Sequence, residues 1–186
     1  MNETLQTIVD RRSIRGYKPE QIKDQELAEI VKAGQFAPSA MNQQSWHFSV
    51  IQNRDLLNKI NAIVKEAMLK ADNPEMVNRA KAENFNVFYA APTLIVVSGD
   101  TNAIAPQYDG TLALGNMFLA AASLGVGSCW IHAIPRVFNT EFGKPVFKEL
   151  GIPEGYQIYC AGAFGYHAGA APAAAPRKEG TVQIIK

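Results

Sequence analysis

The chain has 186 residues, of which 47% are apolar and 19% charged, proportions typical of one folded domain with a substantial core. Its 18 lysines and arginines stand against 17 acidic residues, so no net field favours nucleic acid or an anionic membrane as a partner. With only two cysteines and no N-terminal apolar segment of signal-peptide type, we expect a cytoplasmic protein without a disulfide framework.

The first predicted helix ends before the stretch R-R-S-I-R-G-Y, which starts at Arg11. On an extended or turning backbone, alternate side chains point the same way, so Arg11, Ser13 and Arg15 can converge on one anion. Arginine makes fork-shaped contacts to phosphate that are worth about 1.5–3 kcal/mol each. For such a stretch alone, a solvated cationic turn is the commoner explanation.

A second helix is predicted from an N-cap at Asp24 to about Ala37. Pro38 ends this helix, because proline disfavours helical geometry in the residue before it and has no N–H to donate. Uncharged side chains that both donate and accept hydrogen bonds follow, namely Ser39, Asn42, Gln43, Gln44 and Ser45. Their chemistry suits a flat heterocycle with alternating donors and acceptors, although turn chemistry alone explains the same residues.

A strand is predicted from Trp46 to Ile51, with Trp46, Phe48 and Val50 on its one buried face. The later predicted elements are a helix capped by Asn53 or Asp55, an exposed loop with a short helix over 70–84, a doubly buried strand around 94–97, a helix over 108–124, a strand over 126–134 closed by Pro135, a helix ending near 150 and a strand over 156–165.

The predicted helix over 108–124 is apolar on nearly every side, so it must be enclosed. In so short a chain, a second subunit is the natural enclosure. Residues 110–135 carry no formal charge and are long enough to span a bilayer. Their glycine-containing break nevertheless favours a buried helix followed by a buried strand, without contact to a membrane.

The last 19 residues differ in composition from the rest of the chain. Residues 168–176 are almost all Ala, Gly and Pro and should be extended. They lead to Arg177 and Lys178 and then to a strand-like segment from Thr181 to Ile185. We therefore treat 1–186 as one domain. Its extended C-terminal tail, residues 168–186, is expected to reach and bind a surface outside the body of this domain.

Several common kinds of site find no support in the sequence. The three histidines are isolated and lack the spacing of metal ligands. The apolar surroundings of Cys160 predict an inert thiol. The segment G-V-G-S-C-W lacks the third glycine of a dinucleotide fingerprint and follows a helix where that motif needs a strand, so we expect no Rossmann site.

Four blocks of sequence together resemble the FMN-dependent nitroreductase family. They are R-R-S-I-R-G-Y at Arg11, A-P-S-A-M-N-Q-Q-S-W at Ala37, L-G-V-G-S-C-W-I at Leu124 and P-R-K near the C-terminus. The resemblance covers essentially the whole chain and implies an α+β fold with a mostly antiparallel central sheet wrapped by helices. It also implies an obligate homodimer with two FMN sites at the interface and with C-terminal tails exchanged between the subunits.

By this resemblance both subunits bind the cofactor. One subunit would contribute Arg11, Arg12, Ser13 and Arg15, with Arg11 on the FMN phosphate and Arg15 towards the pyrimidine edge of the ring. The other would contribute Pro38, Ser39, Ala40, Asn42 and Gln44. The segment along the ring would be Trp130, Ile131 and His132, and the basic tail residues on the phosphate would be Arg177 and Lys178. His132 departs from the small residue of many relatives, which puts the shape of that wall in question.

The implied activity is the reduction of nitroaromatics, quinones or activated alkenes by NADH or NADPH, in a ping-pong mechanism. No side-chain acid or base is required, because the flavin carries the chemistry, and Arg15 would favour the anionic reduced form. Phe85, Phe88 and Tyr108 are equally candidates for the acceptor pocket and for the core. Two alternatives stay open: a flavin-binding or storage module, and a specialised family chemistry such as dehalogenation or flavin fragmentation.

Overall fold

The computed structural model describes residues 1–186 and contains four strands, seven α-helices and one 3-10 turn. In chain order these are α1 (Glu3–Asp10), α2 (Asp24–Gln35), the 3-10 turn (Ala40–Asn42), β1 (Trp46–Ile51), α3 (Arg54–Leu69), α4 (Pro74–Ala80), β2 (Thr93–Asp100), α5 (Pro106–Ser123), β3 (Gly127–Trp130), α6 (Ala133–Phe138), α7 (Lys144–Phe147) and β4 (Tyr156–Gly165). None of these helices combines the length and the apolar composition needed to cross a bilayer.

The four strands form one sheet in the order β1-β2-β4-β3, and every neighbouring pair is antiparallel. The two longest strands, β2 and β4, lie in the middle, and their register changes at an irregularity between Val97 and Ser98. All residues of β2 except Asp100 are buried. The predicted doubly buried central strand is therefore confirmed.

Helices cover both faces of the sheet. Successive side chains of a strand point to opposite faces, so neighbouring residues of β2 pack into different apolar clusters. Leu94 and Val96 of β2 belong to a larger apolar cluster that is completed by α3, α4, α6 and α7. Ile95 and Val97 belong to a smaller cluster, in which the sheet packs against α2 and α5. The α+β fold with an antiparallel sheet wrapped by helices is confirmed.

Side-chain caps set the start of several helices. Asn53 Oδ1 accepts a hydrogen bond from the N–H of Leu56 at 2.9 Å, which confirms Asn53 as the cap of α3. The predicted cap at Asp24 is wrong by one residue, since Lys23 is the N-cap and Asp24 is the first helical residue. An acidic side chain also suits this position, because it interacts favourably with the helix dipole.

Three details of the strand predictions are wrong. In β1, Val50 is 37% exposed whereas Ser49 is buried, because the Ser49 hydroxyl donates to the carbonyl oxygen of Leu150 at 2.6 Å. The strand predicted over 126–134 ends at Trp130, and α6 includes Pro135 in its first turn, where a backbone N–H has no partner inside the helix. The segment 181–185 forms no strand, since it pairs with none of the sheet's edges in its own chain.

Candidate functional site

The cationic stretch after α1 lies on the sheet as an added extended segment. The N–H of Ile14 donates to the carbonyl oxygen of Ser128 at 2.9 Å, and the N–H of Lys18 donates to that of Tyr166 at 2.9 Å. Ile14 is buried, whereas its neighbours Arg12, Ser13 and Arg15 keep contact with solvent. An extended backbone of this kind points alternate side chains to the same side, which is the arrangement expected from the sequence.

Arg11 and Ser13 line a cleft of about 380 Å³ together with Trp130 at the end of β3. The opposite wall of this cleft is formed by one face of α5, namely Thr111, Leu112, Gly115, Asn116, Phe118 and Leu119. Arg11 is half-buried and takes part in none of the five ion pairs of the chain. A half-buried cation without an acidic partner makes this cleft a candidate site for an anion.

Arg15 lies beside an unusual turn at Tyr89. The Arg15 Cζ atom is 5.9 Å from the centre of the Tyr89 ring, a distance at which a cation and an aromatic face attract each other. The approach of the Tyr89 hydroxyl raises the pKa of the Arg15 guanidinium above its ordinary value. Both Tyr89 and Ala90 have positive φ angles, of 59° and 55°. Such strained backbone is concentrated at functional sites.

Cys129 lies behind this cationic surface and is buried. Burial raises the pKa of its thiol, while the charges of Arg15 and Arg11 and a hydrogen bond with Ser13 act in the opposite direction. Three of the four cationic-stretch residues that we expect at the cofactor, Arg11, Ser13 and Arg15, therefore lie close enough to Cys129 to act on its thiol, and Arg12 is not among them. The thiol itself stays protonated at neutral pH, because burial is the largest of these influences.

Residues 37–45, which we call the polar loop, connect α2 to β1. Within the loop, Ser39 Oγ accepts from the N–H of Gln44 at 3.0 Å, and the Gln44 side chain donates to Asn42 Oδ1 at 3.1 Å. Pro38, Asn42 and Gln44 are exposed. The loop therefore places side-chain amide groups, which both donate and accept hydrogen bonds, at the protein surface.

Asp109 in the first turn of α5 holds the polar loop. Its two carboxylate oxygens accept hydrogen bonds from the N–H of Ala40 at 3.0 Å and from the Ser45 hydroxyl at 3.1 Å. Both Asp109 and Ser45 are buried. The polar loop and the arginine-lined cleft thus both contact α5, but no residue of the loop lines that cleft within one chain.

Comparison with known proteins identifies the family. The family model described as "Nitroreductase family" matches residues 8–166. The chain belongs to the nitroreductase family. It is 36% identical over 171 residues to a provisionally named NADH dehydrogenase/NAD(P)H nitroreductase of Archaeoglobus fulgidus, covering 89% of this chain and 86% of that protein.

Two solved structures of the family are similar over their whole length. The nitroreductase with bound FMN from Bacteroides fragilis shares 37% sequence identity, with a TM-score of 0.94 and complete coverage of both chains. The nitroreductase with bound FMN from Desulfitobacterium hafniense shares 30% identity, with a TM-score of 0.91 and complete coverage of both chains. The nitroreductase fold that the four sequence blocks imply is thereby confirmed.

The remaining predicted site residues lie outside the arginine-lined cleft. Arg12 caps α1, because its guanidinium donates to the carbonyl oxygens of Val9 and Arg11. Ile131 is buried in the larger cluster, so that only its backbone can face a ligand. His132 is exposed, and its Nδ1 accepts a hydrogen bond from the Trp130 indole at 3.5 Å. In the tail, Arg177 and Lys178 are exposed.

Two features of the site are absent from the sequence-based description. Asp109 contacts residues that lie 64 and 69 positions earlier in the chain, and no local pattern records such a contact. The only sign of this contact in the sequence is that Asp109 stands at the start of an otherwise apolar helix. A carboxylate that is buried there requires a hydrogen-bond partner. Tyr89 has no local signal, and of the three aromatic pocket candidates Phe88 belongs to the core whereas Tyr108 is exposed.

Proposed function

We propose that the chain is an FMN-dependent NAD(P)H oxidoreductase that reduces nitroaromatics, quinones or activated alkenes. The observation that carries this proposal is the arginine-lined cleft, where Arg11 has no acidic partner and shares the wall with Ser13 and Trp130. Family membership supports the reaction class, and the two structural relatives described above contain FMN.

The donor set of the cleft fits an FMN phosphate. Arg11 offers a planar fork of N–H donors, and Ser13 adds a hydroxyl within the same cleft. Each such charge-assisted contact contributes about 1.5–3 kcal/mol. The aromatic side chain of Trp130 supplies an apolar wall of the kind that flat ligands require.

A homodimer with two sites at its interface completes this proposal. Large apolar side chains within or next to the polar loop and α5 are exposed in a single chain, namely Phe36, Met41, Ile104, Tyr108 and Leu112. Val182, Ile184 and Ile185 of the tail are between 76% and 87% exposed. A second subunit buries such surfaces, brings its polar loop to the arginine-lined cleft, and receives the tail with Arg177 and Lys178.

In the proposed reaction the protein binds FMN, orients the reactants and shields them from water. FMN, when bound, supplies the hydride chemistry, and NADH or NADPH acts as the transient donor. Arg11 and Ser13 hold the anionic end, Arg15 places a positive charge at the opposite edge of the site, and the amides of the polar loop hydrogen-bond the heterocycle. Donor and acceptor use the same pocket in turn, so the mechanism is ping-pong.

Steady-state kinetics test the proposal and distinguish an enzyme from a flavin store. The FMN-loaded protein is assayed with NADH or NADPH at several fixed concentrations of a nitroaromatic, a quinone and an activated alkene. We expect multiple turnovers and parallel double-reciprocal lines. Slow nucleotide oxidation that no acceptor accelerates would support the storage module, and turnover of one specialised substrate alone would support a specialised family chemistry.

A further inference from the structure

We propose that Asp109 is a positioning residue of the cofactor site, whose buried carboxylate holds the polar loop in the shape that meets the flavin. This inference rests on the proposed function in one respect only, which is the contact between the loop and FMN. The hydrogen bonds that Asp109 makes to the loop are features of the single chain.

The polar loop needs an external constraint because its backbone is strained. Three of its residues other than glycine have positive φ angles, namely Met41 at 51°, Asn42 at 54° and Gln44 at 47°. Side chains with a Cβ atom rarely adopt this left-handed region, and they remain there only where the surrounding structure enforces it. The left-handed residues are also exposed, so packing of their own side chains does not supply that constraint.

Asp109 supplies the constraint at both ends of the strained segment. Its Oδ1 accepts from the N–H of Ala40 at 3.0 Å, immediately before the first left-handed residue. Its Oδ2 accepts from the hydroxyl of Ser45 at 3.1 Å, immediately after the last one. A further bond, from the N–H of Ile104 to Gln43 Oε1 at 2.9 Å, ties the middle of the loop to the segment before α5.

The role of Asp109 depends on hydrogen-bond geometry. The side chain is 3% exposed and belongs to none of the five ion pairs, so no cation compensates its burial. Asparagine has the same shape, and its carbonyl oxygen can accept from the N–H of Ala40 while its NH₂ group donates to Ser45 Oγ. A hydroxyl both donates and accepts, so Asp109→Asn preserves both ties.

Hydrogen exchange of the full-length apoprotein tests the inference without cofactor. In Asp109→Ala we expect the amides of residues 37–45 to exchange about tenfold faster or more, because both hydrogen bonds of the Asp109 carboxylate to the loop are lost. Asp109→Asn keeps the exchange at the wild-type rate, and Asp72→Ala, which removes an exposed acid between α3 and α4, serves as the control. Wild-type exchange of the loop in Asp109→Ala would overturn the inference.

FMN titration of the same variants tests the link to the cofactor. We expect Asp109→Ala to weaken FMN binding about tenfold or more and Asp109→Asn to bind as the wild type does. If Asp109→Asn were as weak as Asp109→Ala, the charge of Asp109 would be the cause and the positioning role would be wrong.

If Asp109→Ala does not fold, Ser45→Ala removes only one of the two ties, and an unchanged exchange rate in that variant would overturn the inference. If the wild-type protein binds no FMN, the proposed function fails and the role at the cofactor fails with it. The exchange data then decide separately whether Asp109 holds the loop.

Discussion

Replacement of Arg11 by alanine isolates the phosphate contact of the proposed FMN site. The Arg11 side chain is half-buried and makes no ion pair with any acid of its own chain, so its removal leaves the folded apoprotein without an unpaired partner. One charge-assisted contact contributes about 1.5–3 kcal/mol. With tenfold for every 1.4 kcal/mol or so, the Kd for FMN should rise roughly 10- to 150-fold.

The assay is the quenching of flavin fluorescence on titration with apoprotein, performed with FMN and with riboflavin. Riboflavin lacks the phosphate, so Arg11→Ala should weaken FMN binding and leave riboflavin binding unchanged. Raised salt should reduce the difference between wild type and variant for FMN, since salt screens the contact. Arg54→Ala, which removes an exposed arginine at the start of α3, is the matched control. Equal losses for FMN and riboflavin, or no loss for FMN, would refute the assignment of Arg11 to the phosphate.

Three other changes test the site, the dimer and the core. Arg15→Ala should weaken FMN binding and slow the reduction of FMN by NAD(P)H without changing the sedimentation of the proposed dimer. Normal flavin content and normal stopped-flow rates would contradict the placement of Arg15 at the ring. Phe36→Glu should leave the chain folded, because this side chain is 79% exposed and does not line the arginine-lined cleft, but should shift sedimentation of the proposed dimer towards the monomer. Unchanged sedimentation of a dimer would place the interface elsewhere. Burial raises the pKa of the Cys160 thiol to about 12, whereas an unfolded thiol ionises near about 8.5. The unfolded state therefore loses this proton first, so denaturant unfolding should show stability falling as the pH rises above about 8.5, less steeply in Cys160→Ala; equal slopes would contradict the raised pKa.

Local patterns in the sequence predict the elements of this fold well. The apolar run at 94–97 and the alternation that starts at Trp46 both became strands, and Asn53 caps α3 as its side-chain chemistry requires. The failures occur where another element decides burial. Ser49 is buried and Val50 exposed because the distant Leu150 accepts the serine hydroxyl, and no period-two pattern contains that information.

For the same reason, the sequence predicts some features of the site and misses others. The spacing of Arg11 and Ser13 predicts a shared direction, and both residues line one cleft, whereas Arg15 lies beside Tyr89 and is not among the lining residues. The polar composition of residues 39–45 indicates a loop that presents hydrogen-bonding groups, but not its left-handed backbone nor the carboxylate of Asp109 that holds it. Those features depend on tertiary contacts between α5 and the loop. The residues that make these contacts are far apart in the sequence, so no local pattern predicts them.

The visible absorption spectrum of the purified protein tests the central claim most directly. We expect a yellow protein whose flavin absorbance bleaches on anaerobic addition of NADH or NADPH and returns with an acceptor, and whose released flavin is FMN. The nucleotide that bleaches faster identifies the preferred donor. A colourless protein that also fails to take up added FMN would contradict the proposed function, and the arginine-lined cleft would then require another anionic ligand.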